Sequence, residues 1–465
     1  MLTTEPARRH PGWPYDDTPH RDNRTSLNVA VIGAGYLGTT HAACMSHIGH
    51  NVLAIDIDAA KVAKLQSGVV PFYEPELENV VKDGLGAGRL RFSASFEEAA
   101  DFADVHFLAV GTPQNKRNSG ANLSFVDAAI DTLCRYLKRP TLIVGKSTVP
   151  VGTAQRLAER ARAIAPVGDA VELAWNPEFL REGFAVQDTL HPNRIVVGVE
   201  DREAARSAET LRELYAPLLD GNVPFLVTDL ATAELVKVAA NAFLATKISF
   251  INAFAEVCEA TSADITALAD AIGYDQRIGR RFLDAGLGFG GGCLPKDLRA
   301  LVTRSGELGV GRSFRFLREV DAVNTRQRGR VVSIAREECG SLVGARVGIL
   351  GSAFKPNTDD IRDSPALDVA DQIQRAGGNV TVYDPMAMDN SRKAFPTLNY
   401  AFSTVDACAG ADVVLVLTEW DEFRAMRPRE LATVARSKRI IDARNCLDPR
   451  VWRTAGWTYR GIGRP

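Results

Sequence analysis

The sequence predicts an α/β protein: two Rossmann-like doubly wound domains joined by a long central helix. Three observations carry this. Short apolar runs alternate with helical patterns from Leu27 to Val199, an unbroken helical pattern fills Thr232–Thr261, and a second alternating series begins near Ala345. Strands alternating with helices pack as parallel sheets covered on both faces. The expected organisation is a disordered tail over 1–26, a first Rossmann-like domain over 27–228 and a central helical domain over 229–330. A second Rossmann-like domain follows over 331–465.

Composition narrows the class. A chain of 465 residues has room for two or three domains at roughly 100–200 residues each. Lys and Arg number 55 against 57 Asp and Glu, so the net charge of −2 lacks the basic excess of a nucleic-acid partner. The seven cysteines are scattered without CxxC or Cys/His ligand spacing, which argues against disulfides and metal sites and for a reducing compartment. No apolar run reaches the roughly 18 residues that span a bilayer, and the first 26 residues hold no apolar signal core. The expected location is the cytoplasm.

In chain order, Leu27–Ile32 is a buried strand ending in the turn Gly33-Ala34-Gly35-Tyr36-Leu37-Gly38. In such a GxGxxG turn the first glycine permits the sharp bend and the second lets a pyrophosphate approach the backbone. The third allows close helix–strand packing, with the phosphates at a helix N-terminus. Asp56 ends the next strand, Asn51–Asp56, where an acid hydrogen-bonds a ribose 2′-hydroxyl and repels a 2′-phosphate, favouring NAD. Asp58 and Lys61 either border the adenosine or are solvated surface charges. Val110-Gly111-Thr112-Pro113 and Lys146-Ser147-Thr148-Val149-Pro150 follow the apolar strands Val105–Val110 and Thr141–Gly145, at the carboxyl edge where open sheets bind ligands. A further strand is Ile195–Val199, and the later series has strands at Arg346–Gly351, Asn379–Asp384, Val413–Leu417 and Arg439–Asp442.

Cys293 stands apart from the other thiols. It closes Gly286-Leu-Gly-Phe-Gly-Gly-Gly and opens Leu294-Pro295-Lys296-Asp297. At a helix start beside Lys296, its thiolate is expected to be favoured by the dipole and the cation. Asp297 lies one helical turn on, where an acid can position water. Lys237 and Asn241 lie one turn apart on the apolar central helix. They can polarise a substrate oxygen, or they can form a plain salt bridge capped by an amide. Glu178 and Glu182, in Asn176-Pro-Glu-Phe-Leu-Arg-Glu-Gly183, share a face if that stretch is helical.

Together these segments resemble the UDP-glucose/GDP-mannose dehydrogenase family. The likeness runs from Leu27 to about Asp448 and includes GAGYLG, VGTP, KSTVPVGT, NPEFLREG, DTLHPNRIVVG, AELVKVAANAFLATKISFIN, GFGGGCLPKD, FKPNTDDIRDSP and DARNCLD. The resemblance implies a four-electron, NAD-dependent oxidation of a nucleotide-sugar CH2OH to a carboxylate, through a thiohemiacetal and a thioester on Cys293. It implies that Lys237 and Asn241 contact the reacting oxygen, that Thr148 and Glu178 surround the catalytic water, and that Asp297 is an accessory base or positioning acid. Which residue is the base in the first oxidation is left open.

By the same resemblance, NAD contacts Gly33, Gly35, Tyr36, Leu37, Gly38, Asp56, Lys61, Val110, Gly111, Thr112, Pro113, Ser147, Thr148, Glu182, Lys296 and Arg362. The sugar nucleotide contacts Glu178, Phe179, Leu180, Arg181, Glu182, Lys237, Asn241, Phe289, Gly290, Phe354, Lys355 and Arg444, with Arg277 reaching a neighbouring subunit's substrate. A homodimer or larger homo-oligomer built on the long helix is expected. Gly292 departs from the pattern, since many relatives carry Ser or a larger residue before the cysteine. The HPNRIVVG segment points to the glucose branch and leaves the base, uridine or thymidine, open. The alternatives are a mannose-type or N-acetylmannosamine-type dehydrogenase and a non-catalytic binder of NAD and nucleotide sugar.

Overall fold

The computed structural model describes residues 26–115, 120–201 and 206–465. The tail expected to be disordered lies outside them except for Ser26, whose hydroxyl donates to the Gly49 carbonyl at 2.9 Å. Among the described residues the first sheet comprises β1 (Asn28–Ile32), β2 (Asn51–Ile55), β3 (Leu90–Ser93), β4 (Val105–Leu108), β5 (Thr141–Gly145), β6 (Val171–Trp175), β7 (Ile195–Val199) and β8 (Phe225–Asp229). Its order is β3-β2-β1-β4-β5-β6-β7-β8. The chain reverses direction across the sheet between β1 and β4, which opens a crevice beyond their carboxyl ends. Every pairing is parallel except β6 with β7, where Trp175 meets Gly198 antiparallel.

Continuous apolar runs make these strands because both faces are covered. Val29 and Val31 join one buried cluster, and Ala30 and Ile32 join another on the opposite face. The second sheet comprises β9 (Arg346–Leu350), β10 (Asn379–Tyr383), β11 (Asn399–Tyr400), β12 (Val413–Val416), β13 (Arg439–Asp442) and β14 (Thr458–Gly461). Its order, β11-β10-β9-β12-β13-β14, repeats the plan of the first sheet's leading six strands.

The two sheets are not equivalent as dinucleotide sites. In the first, Asp56 accepts from Ala34 N at 3.0 Å and pairs with Lys61 Nζ at 2.8 Å, at the edge of the crevice. Its counterpart Asp384 is fully buried. It accepts from the backbones of Ser352, Ala353, Met386 and Ala387 and from the Trp420 indole. Those donors occupy both carboxylate oxygens, so Asp384 holds loops together and has none left for a ribose.

Between the sheets runs the 32-residue helix Leu230–Thr261, capped by Asp229 through Thr232 N. Its length and composition would suffice to cross a bilayer, which corrects the expectation that no segment reaches that threshold. Its buried face carries Glu234, Lys237, Asn241 and Asn252. The first three bond to groups on other elements, and Asn252 accepts from Gly286 N at 2.8 Å, so it is a core helix of the fold.

Candidate active site

The glycine turn has the geometry its sequence requires. Gly33 has φ +101°, and a Cβ on Gly38 would lie 1.7 Å from the Gly33 carbonyl oxygen. A Cβ on Gly35 would meet nothing within 4 Å, so the space beside it is open at the start of the Tyr36–His47 helix. Turn, open space and Asp56 form a cradle that fits a dinucleotide. Lys61 braces Asp56 as an ion pair, and Asp58 caps the following helix through Ala60 N and Lys61 N. The neighbouring loops are cross-tied: Ser147 Oγ donates to the Val110 carbonyl at 2.6 Å, and Thr112 Oγ1 donates to the Thr148 carbonyl at 2.7 Å.

Cys293 immediately precedes the helix Leu294–Glu307. The glycines before it thread the loop between close neighbours. A Cβ on Gly288 would meet Asn324 Oδ1 at 2.3 Å, one on Gly290 the Asp363 carbonyl oxygen at 2.3 Å, and one on Gly291 the Phe354 ring at 2.7 Å. Asn324 fixes the loop by accepting from Phe289 N at 2.7 Å and donating to the Phe289 carbonyl at 2.9 Å. A Cβ on Gly292 would lie 2.4 Å from the Arg362 guanidinium carbon. This departure from the family pattern therefore leaves room for Arg362 beside the cysteine.

Lys237 and Glu178 form an ion pair at 2.9 Å, with both side chains almost wholly enclosed. Burial alone pulls the lysine's pKa down. The charge and hydrogen bond of Glu178, with Asp297 beyond it, outweigh it and hold the ammonium above its ordinary value. Asn241 Nδ2 donates to Asp297 Oδ2 at 2.7 Å, and Lys296 Nζ contacts Asp297 Oδ1 at 2.7 Å. Lys296 is thus bound to Asp297, which corrects the expectation that it activates the thiol. The Cys293 thiol reaches solvent through the cleft, yet enclosure followed by the charges of Glu178 and Asp297 pushes its pKa up to about 12, Lys237 offsetting this in part.

The Asn176–Gly183 segment is extended and turned, not helical, so Glu178 and Glu182 face different partners. Glu178 meets Lys237 and accepts from Leu180 N at 2.8 Å. Glu182 pairs with Arg362 at 3.0 Å, and its carbonyl accepts from Lys355 Nζ. Burial, reinforced by Asp360, raises the Glu182 carboxyl to about 8. Phe179 lies under the Arg194 guanidinium, 3.8 Å from ring centroid to carbon, and Arg181 pairs with Asp188 at 2.7 Å. Arg444 joins the cysteine loop to the second sheet by donating to the carbonyls of Gly288, Phe354 and Leu417. Arg277 is exposed on the loop after the Ile265–Gly273 helix and pairs with Asp275 at 2.6 Å.

Three contributors escape the sequence reading. Glu234 accepts from Gly152 N at 2.7 Å and Ala154 N at 2.6 Å, capping the Thr153–Ile164 helix. Its signal was an acid one turn before Lys237 on an apolar helix. Arg304 donates to the Val151 carbonyl at 3.0 Å from the cysteine helix. Glu74 bridges Tyr36, Gly183 and Ala185 from a loop that no periodicity marks.

Three segments of the chain match models of the UDP-glucose/GDP-mannose dehydrogenase family: its NAD binding domain over residues 27–219, its central domain over 231–326 and its UDP binding domain over 348–449. The chain is 40% identical over 447 residues to UDP-glucose 6-dehydrogenase YwqF of Bacillus subtilis (strain 168), covering 94% of this chain and 98% of that one. It is 40% identical over 440 residues to the UDP-glucose 6-dehydrogenase of Rhizobium meliloti (strain 1021), covering 94% of this chain and 100% of that one. The structure resembles a UDP-glucose dehydrogenase from the hyperthermophilic archaeon Pyrobaculum islandicum, with a TM-score of 0.87 and 36% identity over 95% of this chain and 99% of the other.

Proposed function

The chain belongs to the UDP-glucose/GDP-mannose dehydrogenase family, and on that premise we propose that it oxidises C6 of UDP-glucose to the carboxylate. It is an NAD-dependent nucleotide-sugar dehydrogenase. The convergence of Lys237, Glu178, Asn241 and Asp297 on the surroundings of Cys293, from two helices and the loop after β6, carries the reading. The domains read as dinucleotide-binding over 27–228, helical and catalytic over 229–330, and nucleotide-sugar-binding over 331–465.

NAD, when bound at the glycine turn and Asp56, supplies the hydride acceptor for both oxidations. Glu178 keeps Lys237 charged, which suits it to stabilise an oxyanion and not to take a proton. Cys293 adds to the aldehyde carbon and carries it as a thiohemiacetal and then a thioester, so no free aldehyde leaves. Asn241 and Asp297, held against each other, orient the oxygen and the water that hydrolyses the thioester. Thr148 lines a small cleft with Lys296 and Asp297. Arg362, Lys355 and Arg444 approach from the second sheet's side, where Arg362 and Lys355 hold Glu182 of the loop after β6.

A homodimer on the long helix fits an exposed apolar stripe of Phe243, Phe250, Phe254 and Val257, and a cytoplasmic site of action fits the chemistry. The test is NADH formation from UDP-glucose, dTDP-glucose, GDP-mannose and UDP-N-acetylmannosamine. Two NADH per UDP-glucose are expected, with loss of turnover in Cys293→Ala. Preference for a mannose-type sugar, or one NADH per sugar, would overturn the assignment.

A further inference from the structure

Glu74 lies outside every segment assigned to catalysis or ligand contact, yet it sits at a junction between two of them. It belongs to Pro71-Phe72-Tyr73-Glu74-Pro75, between β2 and β3, and its side chain is buried. One oxygen of its carboxylate accepts from Gly183 N at 2.6 Å and from the Tyr36 hydroxyl; the other accepts from Ala185 N at 2.6 Å. Tyr36 is the first residue of the helix that follows the glycine turn, and its ring packs 4.9 Å from Phe72. Gly183 N also approaches the Tyr36 oxygen at 3.0 Å, which closes a three-membered network.

The far side of the same segment is pressed by the second sheet's loop. Gly183 has φ +77°, and a Cβ there would lie 2.6 Å from the Asn357 carbonyl oxygen. The adjacent Glu182 is held by Lys355 and Arg362. Glu74 therefore fixes the backbone on which the two halves of the cleft meet, and it does so from the dinucleotide side.

We propose that Glu74 is a positioning residue that couples the dinucleotide turn, through Tyr36, to the Glu182–Ala185 segment that helps hold the nucleotide sugar. The inference rests on the proposed function for the identity of the two ligands. A carboxylate is required because both oxygens accept. An amide of the same shape turns an N–H toward Gly183 N or Ala185 N and breaks the link without opening a cavity. Occupancy of the turn then no longer biases the segment, and each ligand loses its influence on the other.

The test is calorimetric titration of UDP-glucose into the full-length protein, with and without saturating NADH, in wild type, Glu74→Gln and Tyr36→Phe. In wild type NADH is expected to tighten UDP-glucose binding about 5–150-fold, the usual span of such coupling. Glu74→Gln should bring that ratio close to one, and Tyr36→Phe should lower it part of the way. An unchanged ratio, even with both affinities weakened together, means a purely structural role and overturns the proposal. If Glu74→Gln does not fold, the Tyr36→Phe ratio decides alone. A wild-type protein that binds NADH but not UDP-glucose overturns the functional reading, and the coupling falls with it.

Discussion

Asn241 donates its amide to Asp297 at 2.7 Å, and Lys296 takes the other oxygen of the same carboxylate at 2.7 Å. The pair joins the long central helix to the helix that starts beyond Cys293, and it holds Asp297 in one orientation. Asp297→Asn keeps the volume but places an NH2 where Asn241 or Lys296 already donates. The expected outcome is a fall in kcat of about 10²–10⁴, the range of a positioned acid or base, with a smaller change in KM for UDP-glucose. Steady-state kinetics check this, and activity within a factor of a few of wild type would remove Asp297 from the mechanism.

The state of Cys293 is set by its neighbours. Enclosure and the charges of Glu178 and Asp297 place its pKa at about 12, so the free enzyme holds a thiol at neutral pH. Iodoacetamide should therefore inactivate the free enzyme slowly, at a rate rising roughly tenfold per pH unit through the neutral range without a plateau. Lys237→Ala, which removes the cation opposing those carboxylates, should slow it further. A plateau near neutral pH would show an ionised thiolate and contradict the geometry.

The glycine turn separates folding from binding. Gly35→Ala places its methyl group in open space, so the thermal midpoint should stay near that of wild type while the Kd for NAD rises at least about tenfold. Gly38→Ala instead drives a methyl into the Gly33 carbonyl at 1.7 Å, and it should lose both stability and binding. Differential scanning and NAD titration of the two variants check the contrast; equal destabilisation by both would defeat it.

Glu234 supplies a pH signature. Burial lifts its carboxyl from 4.5 to about 7, and the Gly152, Thr153 and Ala154 amides with Arg304 offset part of that. The folded chain then keeps a proton that the unfolded chain has released. The stability this gives is complete below 4.5 and is lost as pH rises through about 7. Glu234→Gln abolishes this component, so the difference in unfolding free energy between wild type and variant should change steadily across that window. A constant difference, measured by urea denaturation, would show that Glu234 does not titrate there.

Most interior strands were legible because a strand covered on both faces is a continuous apolar run, as in Asn28–Ile32 and Val413–Val416; Val171–Trp175, interior too, has its run broken by Glu172 and was missed. Strands at or near the sheet margins were not. Leu90–Ser93 alternates a buried residue with a half-exposed or exposed one over only four residues, and Phe225–Asp229 has no fully buried position, so neither rises above its surroundings. The glycine turn, Asp56, Cys293 and the Lys237/Asn241 pair were visible because each departs from its local background. Glu74 and Arg304 were invisible, since a single charged residue in a loop or on an amphipathic helix looks like solvated surface.

The sequence by itself determined the two doubly wound sheets and the dinucleotide turn, and it singled out Cys293 among the thiols. Period, spacing and glycine content are local properties, and local sterics express them directly. Only the tertiary structure decided which charges surround that thiol. It paired Lys296 with Asp297, Lys237 with Glu178, and Arg362 with Glu182 beside Gly292. A titratable group responds to charges within a few ångströms whatever their distance along the chain, and folding alone fixes those neighbours.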